Sequence, residues 1–421
     1  MIVLKSLQKA MQVVGLLFPY SDGVLYRIYR WTSFFILASM LQPSCRYLYV
    51  YYQDLIKATE ICVFAVAEAV MMAKVLFIIY NQKSVIRLLK ELQEMADEKI
   101  KLNRTKILCK FNKEAEMISK AFIGMLGIAS CIFVGGPALA IFYRKLQGTY
   151  VAHMYGHPYK GYFPYDFETT PGYEITYALN CVYNVYLATY FAACDLFFVN
   201  CGLHLISATL DLEDSFKEID NVRKDELLKT ECGRSVGACR SVVPMSDSLA
   251  NQLNENIKTH YKIIELSDVL KSVVEGLIFS QFFGVIFSLS AIAFQVVSSE
   301  GEQRFFFTAP TIVILAQLFL YCFYGQRVTD QAVKFSESIY QLRWYNYPTK
   351  YQKHFQLIIL RTQNSNYLTG LGFVKCSLES FTDVRFMKLE HFLHKTQSIG
   401  SSIQVVKFAG SVVALFRNLQ K

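Results

Sequence analysis

Six stretches of this chain stay apolar for the ~20 residues that a helix needs to cross the hydrocarbon core of a bilayer. They are roughly Trp31–Tyr52, Glu60–Tyr80, Ser119–Tyr143, Tyr177–Leu205, Val269–Val297 and Phe305–Gly325. Lipid offers an exposed backbone no hydrogen-bond partners, so blocks of this length are expected to be helices. The composition agrees: 53% of residues are hydrophobic and 18% charged, where soluble domains carry about a quarter charged. With 27 Tyr and only 2 Trp, tyrosine furnishes most of the interfacial aromatic belt.

The polar segments between the blocks fall into two sets. Residues 1–30, 81–118, 207–267 and 326–376 hold 28 Lys and Arg; residues 53–59, 144–175 and 299–304 hold 5. The first set is longer, but its basic density is also higher. The positive-inside rule therefore puts it in the cytosol, with the N-terminus. The N-terminal stretch has Lys5 and Lys9 before the short VVGLLFPY and no small-residue cleavage pattern. The first span is thus expected to direct insertion itself. Two polar segments carry helical apolar stripes: Val85, Leu88, Leu89, Leu92 and Met95 in Ser84–Ile100, and Ala332, Phe335, Ile339 and Leu342 in Thr329–Tyr345. Both read as spanning helices continuing into the cytosol.

The net charge of +9 follows the topology. No basic run with interleaved aromatics points to nucleic acid. The 11 Cys include no CxxC pair and no Cys/His cluster with zinc spacing. Cys62, Cys131, Cys181, Cys194, Cys201 and Cys322 lie in apolar runs as small hydrophobes, while Cys232 and Cys239 read as loop thiols. The sequon Asn103-Arg104-Thr105 falls in a cytosolic loop and is expected to be unused. No catalytic cluster or cofactor motif is present, so no enzyme and no cofactor is expected. A transporter would show paired helix breaks, whereas Gly135-Gly136-Pro137 has no counterpart. A G-protein-coupled receptor would have the opposite orientation.

The last stretch, Ser377–Lys421, is a seventh span with a contradiction inside it. Its ends are apolar, yet its middle carries Arg385, Lys388, Glu390, His391, His394 and Lys395. Each charge at mid-bilayer costs roughly 2.5–3.5 kcal/mol. Deleting residues 384–404 joins SLESFTD to VVKFAGSVVALFRNLQK and places Glu379, Asp383 and Lys407 on one helical face. The deleted piece is a whole number of codons. It begins Val-Arg, encodable GTA-AGA, and ends Gln, encodable CAG, the marks of an intron's donor and acceptor. It reads as a retained, translated intron, which would make this chain a non-conducting product. The alternative is a real insertion that forms a membrane-surface amphipathic helix before a shorter span starting at Val405. In either case seven spans leave the C-terminus outside.

The stretch LYCFYGQRVTDQAVKFSESIYQLRWYNYPTKYQKHFQLIILRTQNSNYLTGLGFVKCSLESF resembles the C-terminal signature of insect odorant receptors. The resemblance is carried by Tyr324-Gly325, Ser338–Trp344, Lys350–His354, Arg361-Thr362-Gln363, Gly370–Gly372 and Ser377-Leu378-Glu379-Ser380-Phe381. The segment YFPYDFETTPGYEITY, Tyr162–Tyr177, resembles the family's second extracellular loop, and Asp195 sits where the family often has an acid. A gustatory-type motif is missing, as is the long insertion between spans four and five of the shared olfactory co-receptor.

The resemblance implies an all-α membrane protein with seven transmembrane helices, N-terminus cytosolic and C-terminus extracellular. Residues 1–325 would be a six-helix region with the odorant pocket, 326–376 cytosolic anchor helices, and 377–421 the pore-lining helix, interrupted by 384–404. The function implied is an odorant-tuned subunit of a ligand-gated cation channel. It would pair with the co-receptor as a tetramer in the plasma membrane of olfactory sensory neurons, among membrane lipids. Subunit contacts would run through Tyr340, Trp344, Arg361 and Gln363. Leu415 and Leu419 would form the gate, with Glu379, Asp383 and Lys407 tuning ion passage. Volatile odorants are small and apolar, so the pocket is expected in the outer half of the bundle, between spans two, three, four and six. Its candidates are Phe64, Ala67, Glu68, Val134, Ala138, Tyr183, Tyr186, Leu187, Phe306 and Thr311. Glu68, Lys74, Asp195 and Glu275 are buried-looking charges. Glu68 and Lys74 cannot pair along one helix at their spacing, so pairing across helices or a water-filled cavity is expected. His153 and His157 read as lid surface.

Overall fold

The computed structural model describes residues 5–16, 23–146, 157–167, 169–232, 245–298, 307–363 and 368–382. These form an almost wholly helical bundle. Its elements are α1 (Lys5–Val13), α2 (Val24–Ala38), α3 (Leu41–Val50), α4 (Leu55–Tyr80), α5 (Gln82–Lys101), α6 (Lys106–Leu146), α7 (Gly172–Cys232) and α8 (Asp247–Ser298). Then come α9 (Thr308–Gln341), a short 3₁₀ turn (Trp344–Asn346), α10 (Thr349–Gln363) and a two-stranded hairpin, β1 (Thr369–Gly370) and β2 (Val374–Lys375).

Among the described residues, α4, α6, α7, α8 and α9 are long and apolar enough to cross a membrane. They match the second to sixth apolar blocks. The first block is not one helix. It is split into α2 and α3 by a turn at Ser39 and Met40. Pro43 explains the break: in a continuous helix its ring would strike the carbonyl of Ser39, and it has no N–H to donate. In the first turn of α3 that missing donor costs nothing. Of the seventh block only residues through 382 are described. Asp383, Lys407, Leu415, Leu419 and the whole of 384–404 lie outside the described residues.

α7 is the central helix. In its most apolar window 94% of residues are buried, against 17% in that of α6. Residues 192–200 are all buried, two and a half turns in which every direction round the helix is covered. A helix that is apolar all round belongs inside a bundle. α4 starts at Asp54, whose carboxylate accepts the Lys57 N–H at 3.2 Å, a standard N-cap. The stripes read from sequence are buried as expected: Val85, Leu88, Leu89, Leu92 and Met95 on α5, and Phe335, Ile339 and Leu342 at the end of α9. Asn103, in the sequon, has φ +56° and follows α5, where Asn is well suited to a left-handed cap.

The hairpin pairs Thr369 with Lys375 and Gly370 with Val374. It lies against α8 so closely that a Cβ at Gly370 would fall 2.8 Å from the backbone nitrogen of Phe279. Only glycine fits there.

Candidate functional site

Five helices each present residues at i, i+3 or i+4, and i+7 to one cavity. From α4 come Val63, Phe64, Ala67 and Val70; from α6, Leu126, Ala129, Ser130 and Phe133; from α7, Asn184, Leu187, Ala188 and Phe191. α8 supplies Gln281, Gly284, Val285 and Ser288, and α9 supplies Pro310, Val313, Ile314 and Gln317. The cavity holds about 140 Å³. That is close to the roughly 150 Å³ that admits a benzene ring in an apolar protein interior.

One wall comes from a loop. Tyr159 is 9% exposed. Its ring packs at 4.9 Å from Phe133 and 5.8 Å from Phe64, and on its other side at 4.9 Å from Tyr183. Its hydroxyl donates to Asn184 Oδ1 at 2.8 Å. The loop is held in place by Lys160–Glu60 at 2.7 Å and by the Tyr162 N–H on the Pro43 carbonyl at 3.1 Å. The proline that breaks the first span thus also docks the loop that closes the cavity.

Beneath the apolar walls lies a buried polar network. Lys74 Nζ on α4 meets Asp195 Oδ1 on α7 at 2.6 Å, both side chains 0% exposed. Tyr321 on α9 donates to the same carboxylate oxygen at 2.9 Å. Lys74 also donates to Gln281 Oε1 on α8 at 2.5 Å, and its ammonium lies 5.0 Å from the centre of the Tyr321 ring. Gln281 Nε2 reaches Gln317 Oε1 at 3.4 Å. The network ties four helices together at the cavity floor. The cross-helix pairing expected for Lys74 is present, and its partner is Asp195.

The structure sorts the residues singled out from sequence. Phe64, Ala67 and Leu187 line the cavity. Tyr183 stands behind Tyr159 as a buried support, and Tyr186 is half-buried in the surrounding core. Glu68 is buried but takes a backbone hydrogen bond from Leu41 of α3 and does not line the space. The Val134 carbonyl accepts from the Tyr177 hydroxyl, just before Pro137 interrupts the α6 ladder. Ala138 is exposed. Thr311 donates to the Phe307 carbonyl of its own helix at 2.7 Å, so it stands outside the lining. Phe306 lies outside the described residues.

The cavity lies about one turn deeper on α6 and α9 than the region expected from sequence, and α8 adds a wall that the expectation did not include. A signal for α8 was there: Gln281, Gly284 and Ser288 place small or polar residues along one stripe of an otherwise apolar helix. At the opposite, polar end, Tyr340 is 66% exposed. Trp344 is half-buried, Arg361 is exposed and Gln363 closes α10. Glu379 is exposed in the helical turn that opens at 378.

Five helices of membrane length thus surround a small, nearly apolar cavity, the architecture of a polytopic membrane protein. Comparison with known proteins narrows this further. The family model described as 7tm Odorant receptor matches residues 54–387, and the chain belongs to that family. Odorant receptor 82a of Drosophila melanogaster is 22% identical over 65% of this chain, and the match spans 65% of that receptor's length. Odorant receptor Or2 of Anopheles gambiae is 24% identical over 54% of this chain and 57% of its own. The insect olfactory receptor OR5 from Machilis hrabei shares the fold at a TM-score of 0.73 with 16% identity, covering 94% of this chain and 98% of that one. The same receptor in complex with eugenol gives a TM-score of 0.71 at 15% identity, over 96% and 97%.

Proposed function

We propose that this chain is an odorant-tuned subunit of a heteromeric, ligand-gated cation channel, and that the five-helix cavity is where the odorant sits. The carrying observation is the apolar cavity itself, walled on one side by Tyr159 and floored by a buried ion pair, in a member of a family of odorant receptors. A related receptor of the same fold has been solved in complex with eugenol. Within the cavity Phe64, Ala67 and Leu187 would touch the odorant. Glu68, Tyr183 and Tyr186 would shape the wall from behind, with Val134, Ala138 and Thr311 toward its rim; Phe306 remains a proposed ligand contact outside the described residues.

The orientation we propose has the N-terminus in the cytosol and, after seven spans, the C-terminus outside, at the plasma membrane of olfactory sensory neurons. Residues 1–325 form the ligand-binding bundle, 326–376 the cytosolic anchor and 377–421 the pore helix. The exposure of Leu357 (52%), Leu360 (58%), Tyr340 (66%) and Tyr345 (62%) supports a subunit interface with an olfactory co-receptor at the anchor. An apolar face of this kind is unusual on a surface meant for water. Leu415 and Leu419 are the proposed gate, with Glu379, Asp383 and Lys407 along the ion path. The conducting form is the one without 384–404.

Co-expression with the co-receptor in oocytes tests this reading. The full chain and the 384–404 deletion would both be challenged with small volatiles. Odorant-evoked inward current from the deletion form, and its absence from the full chain, is the expected result. No current from either form removes the channel reading.

A further inference from the structure

The ion pair under the cavity sets the direction of the two amides above it, Gln281 and Gln317. Lysine can only donate. Its bond to Gln281 at 2.5 Å therefore fixes the Gln281 amide with its oxygen down, toward Lys74, and its nitrogen up. That nitrogen is a donor, so the Gln317 group it meets at 3.4 Å must be the amide oxygen. Gln317 is 3% exposed and lines the cavity. The oxygen of its amide is thus committed, and the nitrogen is left over. Among the described residues Gln317 Nε2 has no hydrogen-bond partner.

Turning the Gln281 amide would set its NH₂ on the ammonium and its oxygen on the Gln317 oxygen, and turning Gln317 alone would set NH₂ against NH₂, so the observed direction is the one in which both contacts are hydrogen bonds. The result is a cavity that is apolar over most of its wall and ends, at its floor, on one fixed N–H donor. A buried donor without an acceptor is costly. In the empty cavity a water can serve it; an odorant that displaces the water must replace that bond or forfeit it.

We propose that Gln317 is a specificity residue for hydrogen-bond-accepting odorants: the cavity takes small carbonyl compounds such as ketones and aldehydes, with the carbonyl oxygen on Gln317 Nε2. It discriminates against hydrocarbons of the same shape. The Lys74–Gln281–Gln317 relay is what makes the site a donor. This rests on the cavity being the odorant site.

The test uses matched pairs in which C=CH₂ replaces C=O without changing shape: cyclohexanone with methylenecyclohexane, benzaldehyde with styrene, and acetophenone with α-methylstyrene. Half-maximal concentrations are read as current, with the deletion form co-expressed with the co-receptor. Surface labelling confirms equal delivery of each variant. The carbonyl member should be more potent by roughly tenfold, the scale of one neutral buried hydrogen bond. Gln317→Met should erase that ratio by weakening the ketones and leaving the alkenes unchanged or improved. Gln281→Met is the second variant. It frees the Gln317 amide to turn, so alcohols, which donate, should gain on ketones, a change that mere loosening of the core would not produce.

Equal potency within the pairs, silence of the whole carbonyl arm, or a Gln317→Met receptor that keeps the ratio overturns the inference. The underlying site assignment fails separately. If Ala188→Phe, which fills the cavity, leaves carbonyl responses intact, the odorant binds elsewhere whatever Gln317 does.

Discussion

The two ends of the bundle use the same kinds of charge for opposite purposes. Under the cavity, Lys74 and Asp195 are both 0% exposed, and the contact is reinforced by Tyr321 and Gln281. At the polar end, Arg343 and Asp220 meet at 3.4 Å with side-chain exposures of 36% and 7%. Arg104 and Glu218 meet at 2.7 Å with 50% and 61%. The shortness of the contact does not rank these pairs; burial does. A charge inside the bundle has lost its water, so its partner is obligatory. A charge at the rim keeps its water, and the partner adds little. The buried pair is therefore a constraint on the site: it orients an amide chain and ties α4, α7, α8 and α9. Of the pairs at the polar end, Arg104–Glu218 is a solvated contact, and Arg343–Asp220 stands between the two cases, its carboxylate buried and its guanidinium partly in water.

The largest effect expected from this contrast is at Lys74. Lys74→Met alone strands Asp195 in the core and should cost about 3–5 kcal/mol, seen as loss of detergent-stable receptor by fluorescence-detected size exclusion. Adding Asp195→Leu should recover most of the yield. If the single variant is as stable as the parent, burial does not rank the pairs. Asp220→Ala is intermediate. It strips an acceptor from the Arg343 backbone N–H, held at 3.2 Å, and should cost about 1–3 kcal/mol in thermal unfolding.

A smaller, pH-dependent effect belongs to His260, in the polar NENIKTHYKIIEL half of α8. It is 3% exposed, stacks on Phe335 at 5.5 Å and has no hydrogen-bond partner for either ring nitrogen among the described residues. Burial, with the nearby Arg361 charge second, lowers its pKa from 6.5 to about 4. The unfolded chain takes up a proton below 6.5 and the folded one resists until about 4. Stability should therefore be full above 6.5 and fall as pH drops through that window. His260→Phe should flatten the slope in a melting series. The smallest effect is Glu218→Ala, expected within about 0.5 kcal/mol of the parent; a cost above that in the same melting assay would blur the distinction between buried and exposed pairs.

The sequence makes the bundle legible because lipid leaves few alternatives. Apolar blocks of spanning length, and the stripes on α5 and α9, emerge where periodicity puts them. The site was legible only in part. Phe64, Ala67 and Leu187 could be found by asking which outer-half residues face inward. Glu68 and Thr311 could not be dismissed that way. Thr311 bonds within its own helix, to Phe307, and Glu68 takes one bond from Leu41 of α3 while its other oxygen stays unpartnered among the described residues; periodicity does not show where a side chain finds its bond. Tyr159 was hidden for another reason: its place in the wall depends on a loop docked 116 residues away in sequence from Pro43, which no local pattern encodes. The split of the first span is carried by Pro43, a single residue whose effect a long apolar run masks.

The most direct measurement is a dose–response of current in oocytes co-expressing the co-receptor with the deletion form, its Ala188→Phe variant and its Ala67→Phe variant. Both substitutions put a ring into the space of about 140 Å³. If that space is where odorants act, responses to every effective volatile should vanish or shift by roughly a hundredfold or more, with surface expression unchanged. Unaltered responses from both well-expressed variants would contradict the account.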